Sequence, residues 1–472
     1  MKSQLRKHLW FSRMVFALSL GLLFLPTGCG NSPTSATPSA SSSVSVAIVP
    51  STAMVPEGGS LSFLGTVRGM ANTTVTWSVQ EGTTGGSITS SGLYTAPTTL
   101  GTYHVVATSA ADGTTSASAV VTIGPPAGNF TAVGNMTTAR ADHTATLLPN
   151  GKVLIAGGEG DGFQDLASAE LYDPSTRTFA PTGSMIMPRY AHSATLLADG
   201  RVLIAGGRQD GTRDTSVFTA EIYDPSTGAF TATGDLTSIG GEVYAIPGGV
   251  TTLLPDGRVF VAATNNAEIY DPHSGTFTPT GPYVNLSNAY GITVTLLTNG
   301  KVLVTGCAAP GSSYCSVGVT ELFDPQSGTF GVTGPMMLKS FPDYGYTATL
   351  LTDGRVLFLG SDDFGFADAE VYDPAAGIFA SIEGAVSHEI APASRLTDGT
   401  VLIAGGQVAG GSGSAGAELY VPASGTFEHV GEMTTGRHSH TATPLPDDTV
   451  LITGGFSAWP DPTSSAEVYK PR

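Results

Sequence analysis

The sequence is poor in charge, and above all in positive charge. Only 12% of its 472 residues are Asp, Glu, Lys or Arg, about half the usual share. Long helical bundles and coiled coils draw on Lys, Glu and Ala at helical spacing, so this composition excludes them. Twenty basic residues stand against 38 acidic ones, a net charge of −18. Such a surface repels phosphate backbones and anionic lipid, which excludes a nucleic-acid partner. No phosphate loop, zinc motif, nucleophile elbow or EF-hand occurs, and no cofactor is implied. What is abundant is glycine (61) and proline (30) in a chain that is 41% hydrophobic. That much apolar material argues against disorder and points to short strands joined by many turns.

The first 13 residues are basic, and residues 14–25 form an apolar run. It is too short for a permanent membrane helix and suits the core of a signal peptide. Leu25-Pro26-Thr27-Gly28-Cys29 follows. These residues resemble the bacterial lipoprotein box, with Pro26 standing where that box prefers Leu. The resemblance implies a signal peptide over 1–28 and a lipid on Cys29. Ordinary signal-peptidase cleavage, with Cys29 incidental, is the alternative. Residues 29–43 are rich in Ser, Thr and Pro and suit a flexible tether. Gly30 lacks the acid that favours inner-membrane retention, so an outer-membrane anchor or an extracellular location is expected. The other two cysteines, Cys307 and Cys315, share one loop and can close a small disulfide ring in an oxidising compartment. A redox pair or half a metal site would call for a CxxC spacing or a nearby His.

Residues 44–123 alternate apolar and polar in short runs such as Val75-Thr76-Trp77-Ser78-Val79 and Tyr103-His104-Val105-Val106-Ala107. About seven strands in this span predict a β-sandwich with Trp77 as its core plug. Val55-Pro56-Glu57-Gly58-Gly59 and Gly92-Leu93-Tyr94-Thr95-Ala96-Pro97 resemble the bacterial Ig-like group 2 domain, usually a spacer or an adhesive element.

From residue 129 to 472 the chain repeats. Phe130, Phe179, Phe230, Phe277, Phe330, Phe379 and Phe427 mark a period of about 50 residues. Each unit has an apolar run, an Asn-Gly or Asp-Gly turn, a second run, a loop, and then Glu-aliphatic-aromatic before a second turn. Asn150-Gly151 and its six counterparts predict type I′ hairpins. Four strands taken seven times predict a seven-bladed β-propeller. Asn129-Phe130-Thr131-Ala132-Val133 reads as a fourth strand with nothing before it, and the last unit ends one strand short. Pairing the two would close the ring. The pattern resembles the kelch repeat, as in the central domain of galactose oxidase.

The third-strand acids Glu170, Glu221, Glu268, Glu321, Glu370, Glu418 and Glu467 recur in every unit, which implies structure rather than chemistry. Symmetry fails at the start of the first strand. Arg140/His143, Arg189/His192 and Arg437/His440 form Arg-x-x-His in three units that would be ring neighbours. The other units carry Ile246/Gly249, Ala289/Ile292, Asp343/Tyr346 and His388/Ala391. Arg140, His143, Arg189, His192, Arg437 and His440, with Asp343, Tyr346, His388 and Glu389 opposite, are the candidate ligand-binding rim. Structural bonding by the Arg and His residues is the alternative. Phe364 and Trp459, in long and variable loops, are candidate ligand contacts.

These features predict an exported, lipid-anchored envelope protein that binds a glycan or a protein. A copper-free, epimerase-like carbohydrate enzyme is the alternative, with His388, Glu389 and Arg395, or Asp343 with Arg140, as acid and base. Resemblance to galactose oxidase also implies a copper oxidase. That family's ligating Tyr-His dipeptide has no match in the repeats, where Tyr103-His104 would have to fall and does not.

Overall fold

The computed structural model describes residues 44–472 except 125–127, 210–214, 238–249, 264–265, 288, 309–316, 339–345, 362–366, 383–390, 409–410 and 472. Those residues form an all-β chain whose one helix is the 3-10 turn Gly82–Gly85.

Nine strands lie between Ser45 and Gly124, two more than the alternation predicts. Thr52–Pro56, Ser116–Gly124, Gly101–Ser109 and Val75–Val79 make one sheet, in which the first two strands run parallel. Two smaller sheets pair Ser45–Val49 with Leu64–Arg68 and join Ser60–Ser62, Leu93–Thr95 and Ser87–Ile88. Alternate residues of each strand, including Phe63, Val105, Ala119 and Val121, fill the core between them. Trp77 is not the plug: it is half-buried and packs against this core, while Tyr94 is fully buried. The Tyr94 hydroxyl donates to the Gly85 carbonyl at 2.6 Å, which satisfies the one polar atom that burial would otherwise strand.

The rest of the described chain forms seven repeating four-stranded antiparallel sheets, two small hairpins, and an eighth four-stranded sheet in which the short strands Gln407–Val408 and Ser412–Gly413 join Phe456–Ala458 and Asp461–Pro462. Sheet 1 consists of Thr144–Leu147, Val153–Ala156, Ala169–Asp173 and Thr178–Pro181. Sheets 2 to 6 repeat this order, starting at Ser193, Thr251, Tyr290, Thr347 and Ala393. Sheet 7 combines Thr441–Pro444, Val450–Thr453 and Ala466–Pro471 with Gly128–Ala132 from the beginning of the region. Phe130 stands opposite Tyr469 with ring centroids 5.0 Å apart, the same Tyr–Phe pair that Tyr172 and Phe179 make in sheet 1. The first strands neighbour one another in the order of sheets 1 to 7, and sheet 7 neighbours sheet 1. This arrangement is consistent with a β-propeller. Second strands such as Val153–Ala156 are wholly buried, and third-strand tyrosines pack between sheets. The Tyr223 and Tyr270 hydroxyls bond Thr182 and Thr233 of the preceding sheets. Thr52–Pro56 of the first nine strands lies against Thr426–Glu432, the outer strand of sheet 6.

The first turns differ from the expected type I′. Only the second residue of each pair has a positive φ, as at Gly151 (82°), Gly200 (87°) and, in the last unit, Asp448 (66°). Gly151 donates to the Leu148 carbonyl, and Leu148 donates to that of Lys152. This is a type I turn followed by a left-handed glycine bulge. Pro149 fixes a negative φ at the turn's second position, and Asn150 Oδ1 accepts from the Lys152 N–H at 3.0 Å.

Candidate functional site

The Arg-x-x-His segments sit where each of three sheets begins, and the two motif residues part company there. Arg140 is fully buried. It donates to the Gly157 carbonyl at 2.6 Å, to the Ser168 carbonyl and hydroxyl at 3.1 Å each, and to Glu170 at 3.0 Å. Glu170 also accepts the N–H groups of Thr137 and Thr138. Arg189 repeats this with Gly206, Thr219 and Glu221, and Arg437 with Gly454, Ser465 and Glu467. Burial lowers each guanidinium pKa, and the paired glutamate offsets part of that lowering. These arginines pin the entry loop, the second strand and the third strand of one sheet together. They are not on a ligand-accessible rim, because all three side chains are fully buried.

The histidines point between sheets. His143 Nε2 is 3.0 Å from Thr453 Oγ1 of sheet 7, and His192 Nε2 is 2.9 Å from Thr144 Oγ1 of sheet 1. Each ring lies on a glycine of the preceding sheet. A Cβ built on Gly454 or Gly157 would stand 2.7 Å from the Cε1 of His143 or His192, and one on Gly405 2.5 Å from that of His440. The second glycine of each pair donates across the same seam: Gly455 to Arg140, Gly158 to Arg189 and Gly406 to Arg437. Gly-Gly is thus the partner that Arg-x-x-His requires. Burial, reinforced by the nearby arginines, drives the His143 pKa far below its ordinary value and the His192 pKa to about 3. Burial with Arg437 beside it also holds His440 far down. All three are neutral at physiological pH.

His143, His192 and His440 line a cavity of about 390 Å³. Its walls are first-strand residues of several sheets, among them Thr144, Ser193, Thr251, Thr347, Thr349 and Thr441. Asp142, Ala191 and Ser439, each just before a motif histidine, join them. All three residues have left-handed backbones, with φ of 52°, 48° and 53°. Asp142 donates its N–H to the Ser439 carbonyl, and Ala191 donates to that of Asp142, which ties sheets 7, 1 and 2 together at this level. The Asp142 side chain is half-buried. Enclosure by protein raises its pKa to about 6, against the lowering effect of the Ser439 hydroxyl. A cavity with hydroxyls, neutral imidazoles and one carboxyl is equipped to hold a small polar molecule.

The remaining candidates are scattered. Tyr346 is buried, donates its hydroxyl to the Leu338 carbonyl at 3.1 Å and does not line the cavity. Arg395 is exposed and donates to the Leu350 carbonyl. Trp459 is half-exposed and packs on Phe163, with ring centroids 5.6 Å apart. Asp343, His388, Glu389, Phe364, Cys29 and Cys315 lie outside the described residues. Cys307 is buried and disulfide-bonded. The sequence reading passed over Asp142, Ser439 and the wall hydroxyls. The signal for the wall hydroxyls is the Thr-Ala-Thr or Ser-Ala-Thr that opens four of the first strands, at Thr144, Ser193, Thr347 and Thr441.

No family model and no curated protein matches the chain. Among solved structures it is similar to a fungal alcohol oxidase of the AA5 family, determined in complex with copper. The identity is 17% and the TM-score 0.55, over 73% of this chain and 76% of that one. That likeness supports a galactose-oxidase-like all-β fold.

Proposed function

We propose that this chain is a binding protein built on a closed, seven-bladed, kelch-type propeller, and that the cavity at its centre takes a carbohydrate-class ligand. The cavity carries the reading. Its lining offers many hydroxyls and neutral ring nitrogens, the pairing chemistry of a polyhydroxylated molecule, and about 390 Å³ falls at the small end of ligand pockets. The seven sheets with cyclically neighbouring first strands, the last sheet shared by both ends of the region, support the closed ring. The Ig-like sandwich acts as a spacer, and a lipid on Cys29 holds the exported protein at the cell envelope, in the outer membrane. The ligand site is the cavity rather than a rim of arginines.

The test is calorimetric titration of the protein with a panel of monosaccharides, beside a Thr349→Phe variant that fills the cavity from its wall. Saturable binding lost in the variant is the expected outcome. Equal binding by both proteins would remove the cavity from the reading.

A second reading, a copper-free sugar enzyme, is favoured by Asp142. A carboxyl that titrates near neutrality suits proton transfer. Turnover of a sugar panel followed by NMR separates it from binding alone. The copper chemistry of the similar oxidase finds no matching donor set: among the described residues no group of three or more His, Cys, Asp or Glu is placed to hold a metal, and Cys307 is committed to a disulfide.

A further inference from the structure

The charge of the cavity is more informative than its volume. Among the described residues, Asp142 is the one carboxyl of its lining, and no Lys or Arg lines it. The arginines of the flanking motifs are each neutralised by a glutamate of their own sheet. An ionised Asp142 therefore has no cation on the described walls to offset it. Such a carboxylate is costly to enclose unless something pairs with it. Its position is held from both sides, by the N–H it donates to Ser439 and the N–H it receives from Ala191. Around it are the hydroxyl-bearing Thr144, Ser193 and Ser439 and the three imidazoles. His143 and His192 are more than nine-tenths buried, and their Nδ1 atoms have no protein partner.

This set of groups narrows the ligand. An anion would meet Asp142 and a chain of net charge −18. A metal ion would need more donors than the described residues bring together. We propose that the ligand is a hydroxylated primary amine of about monosaccharide size, its ammonium paired with Asp142 and its hydroxyls against the threonine and serine walls. The inference rests on the cavity being the binding site and adds the charged group that sets its specificity.

The pairing is pH-dependent, and its sign follows from the neighbours. Among the described residues, the other titratable groups of the lining are His143, His192 and His440, all held neutral far below their ordinary range, with Arg140 and Arg437 behind them in ion pairs. Among the described lining residues, only Asp142 changes charge near its value of about 6. Ammonium pairing is thus complete well above that pH and is lost below it.

The experiment titrates the protein with glucosamine, glucose and N-acetylglucosamine, which share a hydroxyl pattern and differ in positive charge. At about pH 7, glucosamine is expected to bind on the order of tenfold more tightly than the two neutral probes. That preference should vanish at about pH 5 in the native protein, and at both pH values in Asp142→Asn. The pH comparison carries the test if that variant fails to fold. Equal affinity for all three probes would overturn the amine inference and leave the carbohydrate reading standing. So would a glucosamine preference that survives both Asp142→Asn and acidification. Binding of none of the three would overturn both.

Discussion

Two arcs of the same ring of sheets solve one packing problem with different chemistry. Where sheets 6 and 7, 7 and 1, and 1 and 2 meet, the seam is polar: Arg-x-x-His on one side, Gly-Gly on the other, and a buried Arg–Glu pair behind. Around sheets 3 and 4 the seam is apolar. Ala289 and Ile292 replace Arg and His and join a core with Leu236, Val250, Tyr283 and Leu286. The third-strand glutamate survives the exchange. Glu321 accepts backbone N–H groups from Val284, Asn285 and Leu286, with no arginine among these partners. In six sheets the glutamate caps the loop entering the first strand, accepting its backbone N–H groups. The arginine is an addition on one arc, and that arc also supplies the three histidines and Asp142 of the cavity.

The largest predicted difference between the arcs comes from breaking an ion pair. Arg140→Leu strands Glu170 in a buried site and should cost about 3–5 kcal/mol in denaturant unfolding. Arg140→Met combined with Glu170→Leu should recover only part of that, because it removes both charges but leaves the Thr137 and Thr138 N–H groups without their acceptor. A small loss in Arg140→Leu alone would mean that the pair does not organise the seam.

Next come the glycines. Gly158 has φ 102°, and a Cβ there would stand 2.6 Å from the Ala141 carbonyl oxygen. Gly306, in sheet 4, has no positive φ and meets Ala289 Cβ at 3.1 Å. Gly158→Ala should cost about 2–3 kcal/mol and Gly306→Ala under about 1. Equal melting temperatures for the two variants would erase the contrast.

The histidines make the polar arc acid-sensitive. A histidine whose pKa falls on folding stabilises the fold above its unfolded value, and that stability is lost as pH falls toward the folded value. Each one should contribute about 1.4 kcal/mol per pH unit below roughly pH 6.5. His192→Leu, which imitates the Ile292 seam, should remove one such increment from the slope of stability against pH. An unchanged slope would show that His192 takes up its proton in the folded state.

The smallest effect belongs to Asp142, whose raised pKa has the opposite consequence. Its contribution is present at low pH and is lost as pH rises through about 6. Asp142→Asn should therefore stabilise the protein at about pH 7.5, on the order of 1–2 kcal/mol, and have little effect near pH 4. Thermal unfolding at the two pH values checks it.

The repeat period and the turn residues made the sheets legible in the sequence. Hydrophobic alternation and glycine placement are local, and they act the same way in every unit. The pairing of Gly128–Ala132 with Ala466–Pro471 was legible as an arithmetic gap: one strand too many at the start, one too few at the end. The hairpin type follows from the Asn or Asp side chain, which accepts the N–H two residues on, as Asn150 does from Lys152 and Asp199 from Arg201, so that only the residue after it turns left-handed. The site was only half legible. Broken symmetry draws attention to segments that line the cavity, but the spacing of Arg and His does not say which side chain turns into its own sheet. That depends on Glu170, 30 positions on, and on Gly157-Gly158 between them. Asp142 was hidden as a variable residue inside the motif, since its importance comes from what the cavity walls lack.

The most direct test of the account is a titration of protein carrying isotope-labelled histidine, followed by NMR, with glucosamine as the probe. Saturable shifts at His143, His192 and His440, with His104 and His273 unmoved, are expected of a ligand entering the space where the first strands converge. Shifts confined to other histidines, or none at saturating probe, would contradict it.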